Sequence, residues 1–190
     1  MAKTTKRTAE ARQRLLETAT RLFYEEGYHA TGIDRVLAEA GTAKMTLYNQ
    51  FQNKEGLIAE VIATANDAFC GAFAQAVAAR ADDPRERLLA IFDVLAEWLP
   101  GPMKRGCPLL NAAVEFPDPA HPVRALVEDR KRRMMAYFTG LCREAAVPDP
   151  DALGEEIAVL YHGALAWFLI TNDPSAARTA RRTLEVRLAP

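Results

Sequence analysis

Apolar residues recur at intervals of three and four along most of this 190-residue chain, which is the spacing of amphipathic helices. No alternating run of apolar and polar residues reaches the length of a strand. The chain is therefore predicted to be all-α. The predicted helices span Ala9 to Glu26, Ile33 to Ala40, a short run through Thr46 to Phe51, Asn53 to Ala81, and residues near 84–99, 109–115, 122–146, 150–171 and 174–188.

Residues that favour helix ends lie at the borders of these segments. Thr31 and Asp34 form a Ser/Thr-x-x-Asp pattern ahead of the second helix, and Gly41 follows that helix. Asn53 is predicted to cap the long helix. Asp-Pro pairs at residues 83–84, 149–150 and 173–174 each suit an Asp cap with Pro as the first helical residue.

Two short predicted helices joined by a turn at Gly41 form the pattern of a helix-turn-helix. In the second of them, Leu47 and Phe51 are four residues apart and make a buried edge. Its outer face carries phosphate partners and amides that can pair with an adenine edge, namely Lys44, Thr46, Tyr48, Asn49 and Gln50. Such a face suits the major groove of DNA. A solvated helix in an ordinary bundle is the alternative that periodicity leaves open.

Residues around this segment resemble the DNA-binding domain of the TetR family of transcriptional repressors. The resemblance is carried by Gly27-Tyr28-His29-Ala30-Thr31, Ile33 to Gly41, Thr46-Leu47-Tyr48 to Phe51, and Lys54-Glu55-Gly56-Leu57. It implies an N-terminal three-helix DNA-binding domain at 8–68 and a C-terminal helical domain for ligand binding and dimerisation at 69–190. It also implies the DNA-binding set Thr31, Thr42, Lys44, Met45, Thr46, Tyr48, Asn49, Gln50 and Lys54.

Three positions depart from the pattern of the family that the chain resembles. Met45 stands where Gly is common, Ala43 where a capping Ser is common, and Gln50 where His or Tyr is common. These differences leave the fold prediction unchanged. The operator sequence does not follow from the resemblance.

Composition indicates a soluble protein with a core of ordinary size. The chain is 49% apolar and 26% charged, which suffices for a core without disulfides or metal. Cys70, Cys107 and Cys142 are odd in number, far apart and not in metal-ligand spacing, so we expect a reducing cytoplasm, no metal and no cofactor. No secretory segment follows Met1, and no apolar run approaches the roughly 20 residues of a membrane span, so no membrane association is expected.

The net charge of -1 is unevenly distributed along the chain. Residues 1–14 carry Lys3, Lys6, Arg7, Arg12 and Arg14 against Glu10 alone. A basic arm of this kind can follow phosphates or enter a minor groove. A disordered, soluble tail is the other interpretation that the composition allows.

The predicted 150–171 helix is apolar nearly all the way round, which predicts either a central core helix of a monomer or a helix shared with a partner. Gly163, Ala164 and Ala166 would permit close approach of another helix. In proteins that the sequence resembles, the last two long helices of each subunit form a four-helix bundle. The resemblance therefore implies a homodimer through 150–171 and 174–188.

Aromatic and Met residues are concentrated in the second half of the chain, around an irregular stretch with two glycines at 100–108. Most such residues belong to an ordinary core. The resemblance implies an effector cavity here for a small hydrophobic or electrophilic molecule. The candidate lining residues are Phe69, Trp98, Met103, Cys107, Phe116, Tyr137, His162 and Trp167.

Cys107 has a distinctive setting. Lys104 and Arg105 precede it and Pro108 follows as a first helical residue, and cations at a helix N-terminus favour a thiolate. The predicted function is a repressor released from a palindromic DNA operator by a small-molecule effector, with thiol-based sensing of oxidants or electrophiles through Cys107 as the alternative.

Two further classes of protein compete with a regulator. Cys107 with His121 or His162 could act as a nucleophile and base, but the three histidines lie in different segments and no phosphate-cradling glycine loop is present. An all-helical binding protein without DNA activity is the other. The chain is predicted not to be an enzyme, and sequence-specific retention of DNA would separate the regulator from both.

Overall fold

The computed structural model describes the backbone of residues 2–189 and the side chains of residues 7–189, and within that range it contains nine α-helices and no strand. The all-α prediction is confirmed. The helices are α1 (Ala2–Glu26), α2 (Ile33–Ala40), α3 (Lys44–Phe51), α4 (Lys54–Ala78), α5 (Pro84–Trp98), α6 (Pro108–Glu115), α7 (Pro122–Glu144), α8 (Pro150–Thr171) and α9 (Ser175–Leu188).

Most predicted helix ends are formed by the residues that predicted them. Gly41 ends α2 in the left-handed conformation, with φ of 58°. Asn53 Oδ1 accepts a hydrogen bond from the Gly56 amide at 2.8 Å. The carboxylates of Asp83 and Asp149 accept from the amides of Glu86 and Ala152 in the first turns of α5 and α8.

Several predicted ends differ from the structure by one to three residues, and three differences concern a cap or a whole segment. Thr31 does not cap α2, because Gly32 holds the cap position and no side chain bonds there. Helix α9 starts at Ser175 rather than Pro174, although Asp173 Oδ1 still accepts from the Ser175 amide at 2.8 Å. Helix α1 begins at Ala2, so the backbone of the basic segment is helical. The side chains of Lys3 and Lys6 lie outside the described residues.

The chain divides into two compact units. The first contains the residues up to Asp67 together with Pro108–Glu128, and the second contains Ala68–Cys107 together with the residues from Asp129 onward. In the first unit, α1 packs on α2 and α3; in the second, α9 packs on α5 and α8. Helix α6 and the start of α7 thus belong by contact to the N-terminal unit, although the sequence prediction assigned them to the 69–190 domain.

The core of each unit consists of apolar stripes on its helices. In the first unit the stripe residues Leu15, Leu22, Val36, Leu47 and Leu57 are fully or almost fully buried. In the second unit the corresponding residues include Leu88, Phe92, Phe138, Tyr161 and Phe168. Burial of these side chains fixes which face of each helix is left to solvent.

Candidate nucleic-acid interface and effector site

Helix α3 has one buried edge and one open face. Leu47 is 1% exposed and Phe51 is 5% exposed, whereas Met45 is 66% and Tyr48 is 47% exposed. Lys44 and Asn49 are also exposed, and Thr46, Gln50 and the neighbouring Thr42 are half-buried. The predicted outer residues of α3 are therefore together on an accessible surface.

The N-terminal part of α1 adds cations beside this surface. Arg7, Thr8 and Arg14 line a groove in the first unit, and the facing residues of that groove are Met45, Thr46, Asn49 and Gln50. The Arg14 Nε also donates to the carbonyl of Ala40 at 3.3 Å, which holds its stem against α2. The basic segment thus contributes to the α3 surface as part of a helix.

Two of the predicted phosphate partners, Thr31 and Lys54, are less accessible to solvent than the outer residues of α3. Thr31 is fully buried, and its hydroxyl donates to the carbonyls of Gly27 at 2.7 Å and Leu22 at 3.3 Å. Its side chain is consequently not available to DNA, which corrects that part of the prediction. Lys54 is half-buried in the first turn of α4, and its Nζ donates to the carbonyl of His29 at 3.3 Å. Burial lowers the pKa of Lys54, and the nearby Glu115 carboxylate opposes that shift.

Several of the predicted effector residues meet in an aromatic cluster of the second unit. The Trp98 ring lies 5.5 Å from Phe69 and 5.7 Å from Phe73. The Phe73 ring lies 5.6 Å from Tyr161, and the Tyr161 hydroxyl donates to Met103 Sδ at 3.9 Å. Tyr161 was not among the effector residues predicted from the sequence. Its ring contacts both Phe73 and Phe138.

A polar cluster adjoins these rings and contains Cys107, Lys131 and His162. Lys131 Nζ lies 3.3 Å from Cys107 Sγ and 2.5 Å from His162 Nε2. The His162 Nδ1 faces the Ala158 carbonyl at 2.6 Å and donates to it, so Nε2 accepts from the ammonium. Burial and, to a smaller extent, the Lys131 charge together lower the pKa of His162 from 6.5 to about 4, and the hydrogen bond to Ala158 opposes this shift.

Lys131 was missed by sequence reasoning because it lies in the run Arg130-Lys131-Arg132-Arg133, which is typical of a solvated helix face. Only its position on α7 directs it inward. No ion pair to a carboxylate is formed by Lys131 among the described side chains. Its charge is therefore directed to a thiol and a neutral imidazole.

The other predicted effector residues are Phe116, Tyr137 and Trp167, and each has its own contacts or exposure. Phe116 lies in the first unit, with its ring 4.6 Å from His29 and 4.8 Å from His121. Trp167 is 56% exposed and so does not line an enclosed space in the isolated chain. Tyr137 packs beside Phe138 at 5.8 Å, and burial raises its pKa to about 12. That all eight residues line one effector cavity stays a prediction.

Lys131 contacts both members of the Cys107–His162 pair that was considered as a nucleophile and base. Lys131 lies between Cys107 and His162, and the imidazole Nε2 is occupied by that ammonium. His121 Nδ1 accepts from the Val123 amide at 3.2 Å within the first unit. Among the described residues, no group of three or more His, Cys, Asp or Glu side chains could hold a metal ion.

Helices α2 and α3 are short and joined by a turn, and α3 buries one edge and exposes polar residues on the other face. This arrangement is typical of a helix-turn-helix DNA-binding protein. Residues 15–61 match the family model of bacterial regulatory proteins of the TetR family, and residues 84–184 match the tetracyclin repressor-like C-terminal domain. The chain belongs to the TetR family of transcriptional regulators.

Individual relatives agree with this assignment. SCO4454, a TetR-family transcriptional regulator from Streptomyces coelicolor, is 35% identical over 93% of each chain, with a TM-score of 0.84. A TetR-type regulator (sav143) from Streptomyces avermitilis is 29% identical over 92% of this chain and 98% of its own, with a TM-score of 0.74. The uncharacterised regulator YxaF of Bacillus subtilis is 44% identical over 28% of each chain. The matched part spans 28% of YxaF and 52% of YjdC from Escherichia coli, about half or less of these curated relatives.

Helices α4 and α8 are long and apolar enough, by length and composition alone, to cross a membrane. No apolar run of that length was expected from the sequence. Core helices of soluble proteins pass the same test, and TetR-family regulators are soluble DNA-binding proteins.

We predict a specific effect of pH on stability through His162. Its pKa falls from 6.5 to about 4 on folding, so as pH decreases the unfolded chain takes up the proton first. The stabilisation is complete above pH 6.5 and is lost as pH falls toward 4, by up to about 3 kcal/mol. Urea unfolding at several pH values should show this loss in the wild type and a smaller one in His162→Gln. Equal pH dependence of the two proteins would contradict the assignment.

Proposed function

We propose that this protein is a cytoplasmic transcriptional repressor that binds a palindromic DNA operator and is released by a small-molecule effector. The observation that carries the proposal is the open face of α3 above its buried Leu47 and Phe51 edge. Membership of the TetR family supports the same conclusion, because its members are DNA-binding regulators.

Each type of side chain on the α3 surface has a distinct role in the proposed complex. Lys44, Tyr48 and Lys54 bind phosphates, which position the protein without reading sequence. Asn49 and Gln50 are amides that can pair with adenine N6 and N7 in the major groove. Met45 is 66% exposed and apolar, so it suits contact with a thymine methyl group.

The proposal predicts different effects for a substitution in α4 and one in α3. Lys54→Ala should weaken binding to all sequences and reduce the slope of log affinity against log salt by about 0.9, because one fewer phosphate is neutralised. Asn49→Ala should cost about 1–3 kcal/mol at one base position and relax the preference there. Selection from random DNA followed by titration at several salt concentrations measures both effects.

The same selection tests the symmetry of the operator. A two-fold dimer should recover a palindrome with half-site centres about 34–36 Å apart or a multiple of that distance. Glu17→Gln, a change of an exposed residue on α1, is the control for general loss of function. Recovery of no consensus from the wild-type protein would refute sequence-specific binding.

Exposed apolar residues on α8 and α9 support a homodimer through these helices. Val159, Trp167 and Ile170 on α8 are 67%, 56% and 77% exposed, and Val186 on α9 is 78% exposed. Gly163 lies between the first two along α8 and is also exposed. A contiguous apolar stripe of this kind is typical of a protein interface rather than of a solvated surface. The core-helix alternative accounts less well for this exposure.

We therefore predict that Ile170→Glu shifts the protein from dimer to monomer. A carboxylate in an apolar interface would lose its hydration without gaining a partner. Sedimentation across a concentration series should show a weaker dimer, on the order of tenfold or more, and weaker binding to the palindrome. Val114→Glu is the matched control, since Val114 is 72% exposed on α6. An unchanged dimer in Ile170→Glu would exclude this stripe as the interface.

The aromatic cluster supports a small hydrophobic effector in the second unit. Phe69 and Phe73 lie on α4, the helix whose first residue is the proposed phosphate partner Lys54. A ligand that displaces these rings would act on the same helix that carries Lys54. Such a ligand relieves repression only if it binds the DNA-free form more tightly. A ligand with equal affinity for both forms would leave the fraction of DNA-bound protein unchanged.

The second candidate function is sensing of electrophiles through Cys107, and the observation that favours it is Lys131 at 3.3 Å from the thiol. An adjacent ammonium stabilises a thiolate. The thiolate sulfur would form a bond to the β-carbon of an unsaturated carbonyl compound, and the α-carbon would take a proton from water. No group leaves in that addition. Burial raises the pKa of the Cys142 thiol to about 11, so this thiol is expected to stay protonated near neutral pH.

This candidate predicts selective modification of one cysteine. A mild unsaturated carbonyl compound should label Cys107, as located by peptide mass, and should reduce operator binding of the wild type. Cys107→Ser should retain operator binding after the treatment, and Lys131→Met should be labelled several-fold more slowly because the thiolate loses its counter-charge. Cys142→Ser is the control and should respond like the wild type. Loss of binding that persists in Cys107→Ser would eliminate Cys107 as the sensor.

A further inference from the structure

The side chain of Glu115, the last residue of α6, binds the turn between α1 and α2. Its two carboxylate oxygens accept hydrogen bonds from successive backbone amides, Oε1 from Tyr28 at 3.0 Å and Oε2 from His29 at 2.6 Å. The Glu115 carbonyl also lies 2.7 Å from His29 Nε2. One residue of the α6 helix therefore satisfies three polar groups of a turn that is 86 or 87 positions away in sequence.

Rings and backbone around this contact hold the same two segments together. The Phe116 ring packs between His29 and His121, at 4.6 and 4.8 Å between centroids. The Tyr28 hydroxyl donates to the carbonyl of Pro108 at 3.2 Å, at the other end of α6. The whole length of α6 is thereby fastened to the turn, within the first unit.

Gly27 shows how closely the carboxylate approaches the turn. This residue has φ of 100°, which favours glycine, and a Cβ atom placed there would lie 3.0 Å from Glu115 Oε1. A larger residue at this position would be strained in its backbone and would press on the carboxylate. The glycine thus serves both the turn and its contact with Glu115.

The turn between α1 and α2 also binds Lys54, the proposed phosphate partner. The His29 carbonyl accepts from Lys54 Nζ at 3.3 Å, and the Gly27 carbonyl accepts from the Thr31 hydroxyl at 2.7 Å immediately before α2. Glu115 therefore binds the amides of Tyr28 and His29. The carbonyl of His29 accepts from Lys54, and the carbonyl of the preceding Gly27 accepts from the Thr31 hydroxyl just before α2.

We propose that Glu115 is a positioning residue for DNA binding, which acts by fixing the Gly27–Thr31 turn and through it the ammonium of Lys54. This inference rests on the proposed role of Lys54 at a phosphate.

The direction in which DNA affinity changes on substitution of Glu115 distinguishes a positioning role from a purely electrostatic one. Removing a carboxylate near a DNA-binding surface reduces repulsion of phosphates, so a purely electrostatic role predicts tighter binding in Glu115→Gln and Glu115→Ala. A positioning role predicts weaker binding in both, despite the lost negative charge. Glu115→Gln should be intermediate, because its single amide oxygen can accept from only one of the two backbone amides.

The test measures affinity for the selected operator at several salt concentrations, with folding checked by circular dichroism. Glu115→Ala should lose about tenfold in affinity, and its salt slope should fall by up to about 0.9, as in Lys54→Ala. Glu128→Gln, an exposed carboxylate on α7 in the same unit, is the matched control and should bind like the wild type. Unchanged or tighter binding by folded Glu115→Ala would overturn the proposal.

Two further measurements keep the proposal testable. If Glu115→Ala does not fold, amide hydrogen exchange of the wild-type protein tests the contact instead. The Tyr28 and His29 amides should be protected from exchange. Exchange at the rate of an unstructured peptide would overturn the proposed contact. If Lys54→Ala binds like the wild type, the phosphate role of Lys54 is wrong and the inference fails with it. If only Glu115→Ala binds like the wild type, the positioning role alone fails.

Discussion

The DNA-binding half of this protein depends on the burial of one edge of α3. An eight-residue helix is too short to be stable alone in water, so its conformation comes from packing. Leu47 and Phe51 supply that packing, and the Arg12 guanidinium lies 5.1 Å from the centre of the Phe51 ring. Because these two side chains fix the rotation of the helix about its axis, they also determine which residues point outward.

The need of backbone amides for hydrogen-bond acceptors imposes a second constraint on the same unit. The turn after α1 leaves amides at Tyr28 and His29 that its own helices do not bind, and a charged acceptor is the strongest partner such groups can have. Glu115 supplies it from a distant part of the chain. This contact joins the end of α6 to the turn after α1 within the first unit.

The second unit combines an apolar and a polar cluster with different physical demands. The aromatic rings around Trp98 and Tyr161 contribute burial and edge-to-face contacts, which any well-packed core provides. Lys131 is different, since a half-buried ammonium costs free energy unless its neighbours accept hydrogen bonds or carry negative charge. Cys107 and a neutral His162 meet that demand, and this makes their chemistry dependent on each other.

The sequence by itself determined the helical fold, most helix ends and the composition of the α3 face. These properties are local, because periodicity, caps and glycine conformations act within a few residues. The outward placement of Tyr48 and Asn49 followed from the positions of Leu47 and Phe51 alone.

Only the tertiary structure decided which distant residues meet. It placed Thr31 in the core with a satisfied hydroxyl, packed Phe116 against His29, and directed Lys131 of a basic run toward Cys107. Nothing in the spacing of Glu115 indicates that it binds amides near residue 28. Such contacts depend on how helices pack against each other, and a helical period specifies a face without specifying what covers it.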